Sequence, residues 1–138
     1  MISQLKIEPR YQETDQMGII HHSVYPIWYE MGRVKYCEDL GLPFHVIEEQ
    51  GVRLAMYELT SKYLKPARFG STYRMVTSIS KLTKVRLFFT YDLYDEENNH
   101  IHQGKTELIW LNQDLKPINV EKTHPDIYQA FLKEVTNY

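Results

Sequence analysis

Asp15 stands just ahead of Gly18, the His21-His22 pair and the start of an apolar helical repeat. A carboxylate there lies beside a helix N-terminus, where backbone N–H groups lack acceptors and the helix dipole favours negative charge. That pairing suits acyl transfer. The carboxylate serves as base or nucleophile, and the amides hold the oxyanion that develops on the attacked carbonyl. A turn is the plainer use of the same residues, because an Asp-x-x-Gly segment closes by hydrogen bonds from nearby N–H groups to the aspartate. Tyr25 falls in the first helical turn, where it either orients the carboxylate or the substrate or packs in the core. Glu30 and Arg33 are spaced i,i+3, so they either pair with each other or organise the site.

Other chemistries find little support. The chain has no G-x-S-x-G nucleophile elbow, and Gly70-Ser71-Thr72 does not supply one. It lacks the glycine-rich phosphate loops and the H-E-x-x-H metal motif. His100 and His102 are expected on one strand face, as metal ligands sometimes are, but two solvated hairpin histidines are the simpler expectation. No metal and no cofactor is expected. The single cysteine, Cys37, excludes an intrachain disulfide and reads as a small apolar helix residue.

The elements that must position Asp15 follow from periodicity. Ser3–Arg10 alternates as a strand. Residues 24–40 read as a helix with Val24, Ile27, Trp28, Met31 and Val34 as its apolar stripe, Ser23 as N-cap, Pro26 tolerated in the first turn, and Gly41 and Pro43 as its stop. A further helical turn fits residues 44–50. Residues 52–64 read as a strand with Ala55, Tyr57, Leu59, Ser61 and Tyr63 on one face. Strands follow at 73–82, 85–94 and 101–112, the last two joined by a hairpin turn over residues 95–99, and Pro125 opens a C-terminal helix with Ile127, Ala130 and Phe131 inward. Strands so closely spaced pair antiparallel. The fold class is therefore α+β, one helix laid against a curved antiparallel sheet.

At 138 residues the chain predicts one domain over 1–138. A net charge of −2 with interspersed signs gives no reason to expect nucleic acid or an anionic membrane as partner. Lys6, Glu8 and Arg10 interrupt any leader-like apolar start, and no apolar run approaches the ~18–20 residues of a membrane span, so the expected location is cytoplasmic. The 11 tyrosines suit half-buried strands and a subunit interface.

Two motifs carry a family likeness. The first is Tyr11-x-x-Thr14-Asp15-x-x-Gly18, two apolar residues, a histidine-containing turn, then Tyr25-x-x-Trp28-x-Glu30-x-x-Arg33; the second is Tyr63-x-Lys65-Pro66-Ala67-x-Phe69-Gly70. With the element order, they resemble the hotdog-fold acyl-CoA thioesterases of the 4-hydroxybenzoyl-CoA thioesterase family over roughly residues 3–120. The resemblance implies a hotdog fold, a curved antiparallel sheet wrapped around one long central helix. It implies subunits joined at sheet edges into a homodimer or homotetramer, with active sites at the interface. Asp15 would attack the thioester carbonyl or activate water, and the backbone N–H near His22 would polarise the carbonyl, with Tyr25 beside them. Tyr63, Lys65, Pro66 and Ala67 would lie near the CoA arm, and Gly18 and Glu30 also on the substrate side. The substrate would be an acyl-CoA.

Candidate cations for the CoA phosphates are Lys62, Lys65, Arg68, Arg74, Lys81, Lys84 and Arg86, and Met31, Met56, Tyr57 and Phe88 are candidates for setting pocket depth. Two positions depart from the family pattern. Val24 stands where many members carry Asn or Ser, removing a polar helix-start contact, and Ser71 stands where Asp is frequent. An acyl-carrier-protein thioesterase and a non-catalytic acyl-CoA-binding module are the alternatives on the same fold.

Overall fold

The computed structural model describes residues 1–136. Five strands, β1 (Ile2–Ile7), β2 (Arg53–Tyr63), β3 (Tyr73–Leu82), β4 (Arg86–Tyr94) and β5 (His100–Leu111), form one antiparallel sheet in the order β1-β3-β4-β5-β2. Against it lies α1 (Tyr25–Leu40), followed by α2 (Phe44–Glu49), α3 (Val120–Thr123) and α4 (Pro125–Leu132). The element order is the expected one, with α3 added. β1 ends at Ile7 rather than Arg10, because Pro9 has no N–H to donate to a ladder. Gly41, at φ +87°, ends α1, its N–H bonded to the carbonyls of Cys37 and Glu38. In β4, Leu87, Phe89, Tyr91 and Leu93 point into the core as the alternation requires.

The buried face of α1 differs from the expected stripe. Tyr25, Trp28, Tyr29, Gly32, Arg33, Tyr36 and Cys37 are buried. Val24 and Trp28 keep their expected burial, whereas Ile27 and Met31 are 52% and 44% exposed and Val34 is also exposed. Close approach decides this. A Cβ on Gly32 would lie 2.6 Å from Thr77 Oγ1, so the glycine side of α1 is the side pressed onto β3. On β5, a Cβ on Gly104 would lie 2.1 Å from Tyr29 Cζ, so the tyrosine ring rests on bare backbone. Tyrosines, rather than aliphatics, fill the space between helix and sheet.

A bulge corrects the expected face of β2. Met56 lies opposite Leu108 and Glu58 opposite Glu107, so Tyr57 is skipped. Leu54 and Met56 then share the helix-side face with Leu59, Ser61 and Tyr63, while Ala55 moves to the outer face. Tyr57 lies under the Arg86 guanidinium, 4.2 Å from its carbon to the ring centroid. A second irregularity, between Leu93 and Tyr94, separates the two hairpin histidines. His102 turns into the core, and His100 Nε2 sits 2.8 Å from Asp92 Oδ1 on the outside. They do not share a face, and among the described residues no group of three or more His, Cys, Asp or Glu is placed to hold a metal. α4 closes the other end of the core with Ile127, Tyr128 and Phe131, the last ring edge-on to Trp110 at 5.5 Å. No helix among the described residues is long and apolar enough to cross a membrane.

Candidate active site

The segment from Arg10 to Val24 is built on a buried carboxylate that the sequence did not single out. Glu13 is 6% exposed. It accepts hydrogen bonds from the Arg10 N–H (2.7 Å) and the Trp28 indole N–H (3.2 Å), and the Arg10 guanidinium lies 3.5 Å away. The indole N–H of a buried tryptophan needs an acceptor, and Glu13 supplies it, hooking the loop to α1. The Glu13 carbonyl also accepts the His21 N–H at 2.8 Å.

Between these anchors the chain folds back on itself. The Asp15 N–H donates to the Ile19 carbonyl (2.8 Å), and Gly18 turns the tip at φ +80°. Asp15 Oδ1 accepts the Met17 N–H at 2.7 Å and the Ile19 N–H at 3.4 Å. The turn therefore uses one carboxylate oxygen, and Oδ2 has no partner among the described residues.

The second motif docks directly on this loop. The Ile20 N–H donates to the Ala67 carbonyl at 2.9 Å, and Ile19 bridges Arg68. The Tyr63 hydroxyl donates to the His22 carbonyl at 3.1 Å, and the Tyr11 and Phe69 rings meet at 5.6 Å. Ala67 is fully buried under the loop, whereas Tyr63, Lys65 and Pro66 are exposed beside it.

His22 opens a 3-10 turn, His22–Val24, that runs into α1 at Tyr25. The cap of this turn is His21 rather than Ser23. His21 Nδ1 accepts the Ser23 N–H at 3.1 Å, and its carbonyl accepts the Val24 N–H at 3.0 Å. Ser23 cannot cap the turn because it already lies inside it.

Behind the turn is an aromatic box. Tyr25 is buried, stacked on His102 with ring centroids 4.0 Å apart and edge-on to Trp28 and Tyr63 at 5.1 and 5.3 Å. Burial raises the pKa of its phenol, opposed by a backbone hydrogen bond with Ala67. His102, 1% exposed, bonds through Nε2 to the Tyr29 hydroxyl, which lies 2.7 Å from Ser61 Oγ. Burial lowers the His102 pKa to about 4, so the imidazole is neutral near pH 7.

Glu30 and Arg33 do not form an ion pair among the described residues. Arg33, 9% exposed, donates to the Tyr91 hydroxyl at 3.1 Å, and Tyr91 in turn bonds Thr106 at 2.7 Å. Both Glu30 and Arg33 line a cavity of about 300 Å³ with Phe44, Glu48 and Leu54. Of the candidate depth-setting residues, only Met56 faces the helix side of the sheet. Met31 is on the outer side of α1, and Phe88 lies under Lys81. Several candidate cations are engaged elsewhere: Arg86 with Glu107, Arg74 with Asn98, and Lys84 with Glu121. Lys65 and Arg68 line a cleft of about 520 Å³ next to the second motif, together with Asp95, Glu96 and Glu97.

A single antiparallel sheet curved around one long helix is the architecture of the hotdog fold. The chain belongs to the thioesterase-like superfamily, whose family model matches residues 9–131. It is 32% identical to a Bacillus subtilis protein provisionally named acyl-CoA thioesterase YneP, over 96% of both chains. A DHNA-CoA thioesterase structure from Staphylococcus aureus superposes with a TM-score of 0.90 at 32% identity, covering 96% of this chain and 89% of that one. The acyl-acyl carrier protein thioesterase ATL3 of Arabidopsis thaliana is 26% identical over 95% of this chain and 70% of its own length.

Proposed function

We propose that the protein hydrolyses acyl-CoA thioesters to free acid and CoA, with Asp15 as the general base or nucleophile and the His22 N–H as the donor to the thioester carbonyl oxygen. The observation that carries this is the docking of the two motifs. The hydrogen bonds Ile20 N–H to Ala67 and Tyr63 O–H to His22 bring the carboxylate loop, the helix start and the exposed Tyr63–Lys65–Pro66 edge into one place. Asp15 has one oxygen fixed by its turn and the other left for water or the acyl carbon. As base, Oδ2 takes a proton from water as its oxygen attacks; as nucleophile, it forms a mixed anhydride that water then opens. In both routes the C–S bond breaks and CoA leaves as a thiolate, a good leaving group, so no further activating triad is needed.

Tyr63, Lys65 and Pro66 form the entry for the pantetheine arm, the buried Ala67 tying that edge to the loop, with Lys65 and Arg68 toward the phosphates. Gly18 gives the loop its tip. Glu30 lies along the acyl side, and Tyr25 supports the site from beneath. The free edge of β2 is proposed as the contact through which two copies pair, making a homodimer or homotetramer that completes each site; the chain acts as one domain, in the cytoplasm. Acyl carrier protein is the second carrier to consider, because ATL3 bears that carrier in its name. A thiol-release assay with matched acyl-CoA and acyl-carrier-protein substrates tests the proposal. Faster turnover of the CoA substrates is expected, and release of thiol from the carrier protein alone would reassign the substrate.

A further inference from the structure

His21 disposes of the amides on either side of His22. Its own N–H donates to the Glu13 carbonyl at 2.8 Å, and its carbonyl accepts the Val24 N–H at 3.0 Å. Its imidazole Nδ1 accepts the Ser23 N–H at 3.1 Å, with Ser23 Oγ 2.7 Å from the same nitrogen. Among the described residues the His22 N–H is left without a partner. Nδ1 thus faces both the backbone N–H and the hydroxyl of the same serine, which fixes the ring over the start of the turn.

The geometry of the peptide bond makes this arrangement directional. A trans peptide holds its N–H antiparallel to its C=O. The peptide between His21 and His22 has its carbonyl turned into the helix toward Val24, so its N–H, that of His22, points out of the turn. The next carbonyl, that of His22, is held by the Tyr63 hydroxyl at 3.1 Å. Val24, the residue ahead of α1, offers no side-chain cap. The polar helix-start contact that Val24 cannot make is made one turn earlier by His21.

We propose that His21 is a positioning residue, whose imidazole Nδ1 caps the Ser23 amide and so fixes the His22 N–H as the one donor presented to the substrate carbonyl. This rests on the role given to that N–H under the proposed function. The ring itself touches no reacting atom.

The test is steady-state kinetics on the best acyl-CoA substrate with His21→Leu, His21→Gly and His21→Asn. Loss of a whole oxyanion donor lowers kcat ~10²- to 10³-fold, so a misaligned one is expected to lower it about 10- to 100-fold. That loss in kcat, with KM within about threefold, is expected for both Leu and Gly. Gly is tolerated at an N-cap at little cost in stability, so it reports on alignment even if the Leu variant folds poorly. Asn, a strong N-cap acceptor, is expected to restore kcat to within about threefold of wild type. Retention of wild-type kcat by His21→Gly, or failure of Asn to rescue, would overturn the proposal. A parallel Asp15→Asn arm separates the two ideas. If Asp15→Asn abolishes turnover and His21→Gly does not change it, only the role of His21 fails; if Asp15→Asn is fully active, the hydrolytic mechanism fails.

Discussion

His102 shows how one buried side chain ties stability to pH. Its neighbours are Tyr25, Tyr29 and Tyr63, and burial lowers its pKa to about 4, whereas an unfolded imidazole titrates near ~6.5. Between those values the unfolded chain binds a proton that the folded chain refuses. Stability from this group is therefore complete above about pH 6.5 and falls toward pH 4, by at most ~1.4 kcal/mol per pH unit. Urea unfolding at pH 7.5 and pH 5 is expected to show that decline, and His102→Gln to flatten it; an unchanged slope in the variant would assign the decline elsewhere. Glu13 gives a second residue-scale prediction. Glu13→Ala leaves the Trp28 indole N–H and the Arg10 N–H without their acceptor and is expected to cost about 1–3 kcal/mol, read by the same unfolding assay. The turn closed by Asp15 and Gly18 was legible from their spacing. Glu13, His21 and His102 were not, because each takes its meaning from a partner that only the fold brings close: Trp28 for Glu13, Ser23 across a tight turn for His21, and the tyrosines of α1 and β2 for His102.

The long helix was legible as an element but not in its orientation. Ile27, Met31 and Val34 make the obvious aliphatic stripe, yet the sheet takes the side bearing Tyr25, Tyr29, Gly32 and Tyr36. Hydropathy ranks tyrosine as half polar and glycine as neutral, so it misses a face chosen for close approach. Neighbouring substitutions on α1 check this. Gly32→Ala pushes a methyl group against Thr77 Oγ1 and is expected to lose about 1–3 kcal/mol, despite the better helix propensity of alanine. Met31→Glu is expected to stay within about 0.5 kcal/mol of wild type by the same unfolding measurement. A larger loss at Met31 would mean that the exposed stripe is covered in the assembled protein. The strands were read well where alternation is unbroken, as in β4. In β2 and β5 a bulge shifts the register by one residue and exchanges faces, which no period-2 pattern reveals.

At the scale of the whole molecule, the sheet ends in two edges, β1 and β2. On β2 the side chains of Met56 and Tyr63 are exposed although they face the helix side. An edge with uncovered apolar side chains is a template for pairing, which fits the proposed dimer. Sedimentation equilibrium is expected to find at least two chains per particle, and dilution below the dissociation constant to reduce turnover per chain; full specific activity in a monomer would refute sites completed by a second copy. The likeness of the two motifs announced the fold and the chemical class, since both are local patterns set by turns and helix starts. What such local patterns leave out is the grouping of side chains that meet only in three dimensions, such as Arg33 beside Glu30, Phe44 and Leu54 in one cavity. The most direct test of the central claim is thiol release from a panel of acyl-CoA substrates by wild type and Asp15→Asn. A fall in kcat of ~10²- to 10⁴-fold on every active substrate, with KM little changed, is the expected result; undiminished hydrolysis by Asp15→Asn would contradict it.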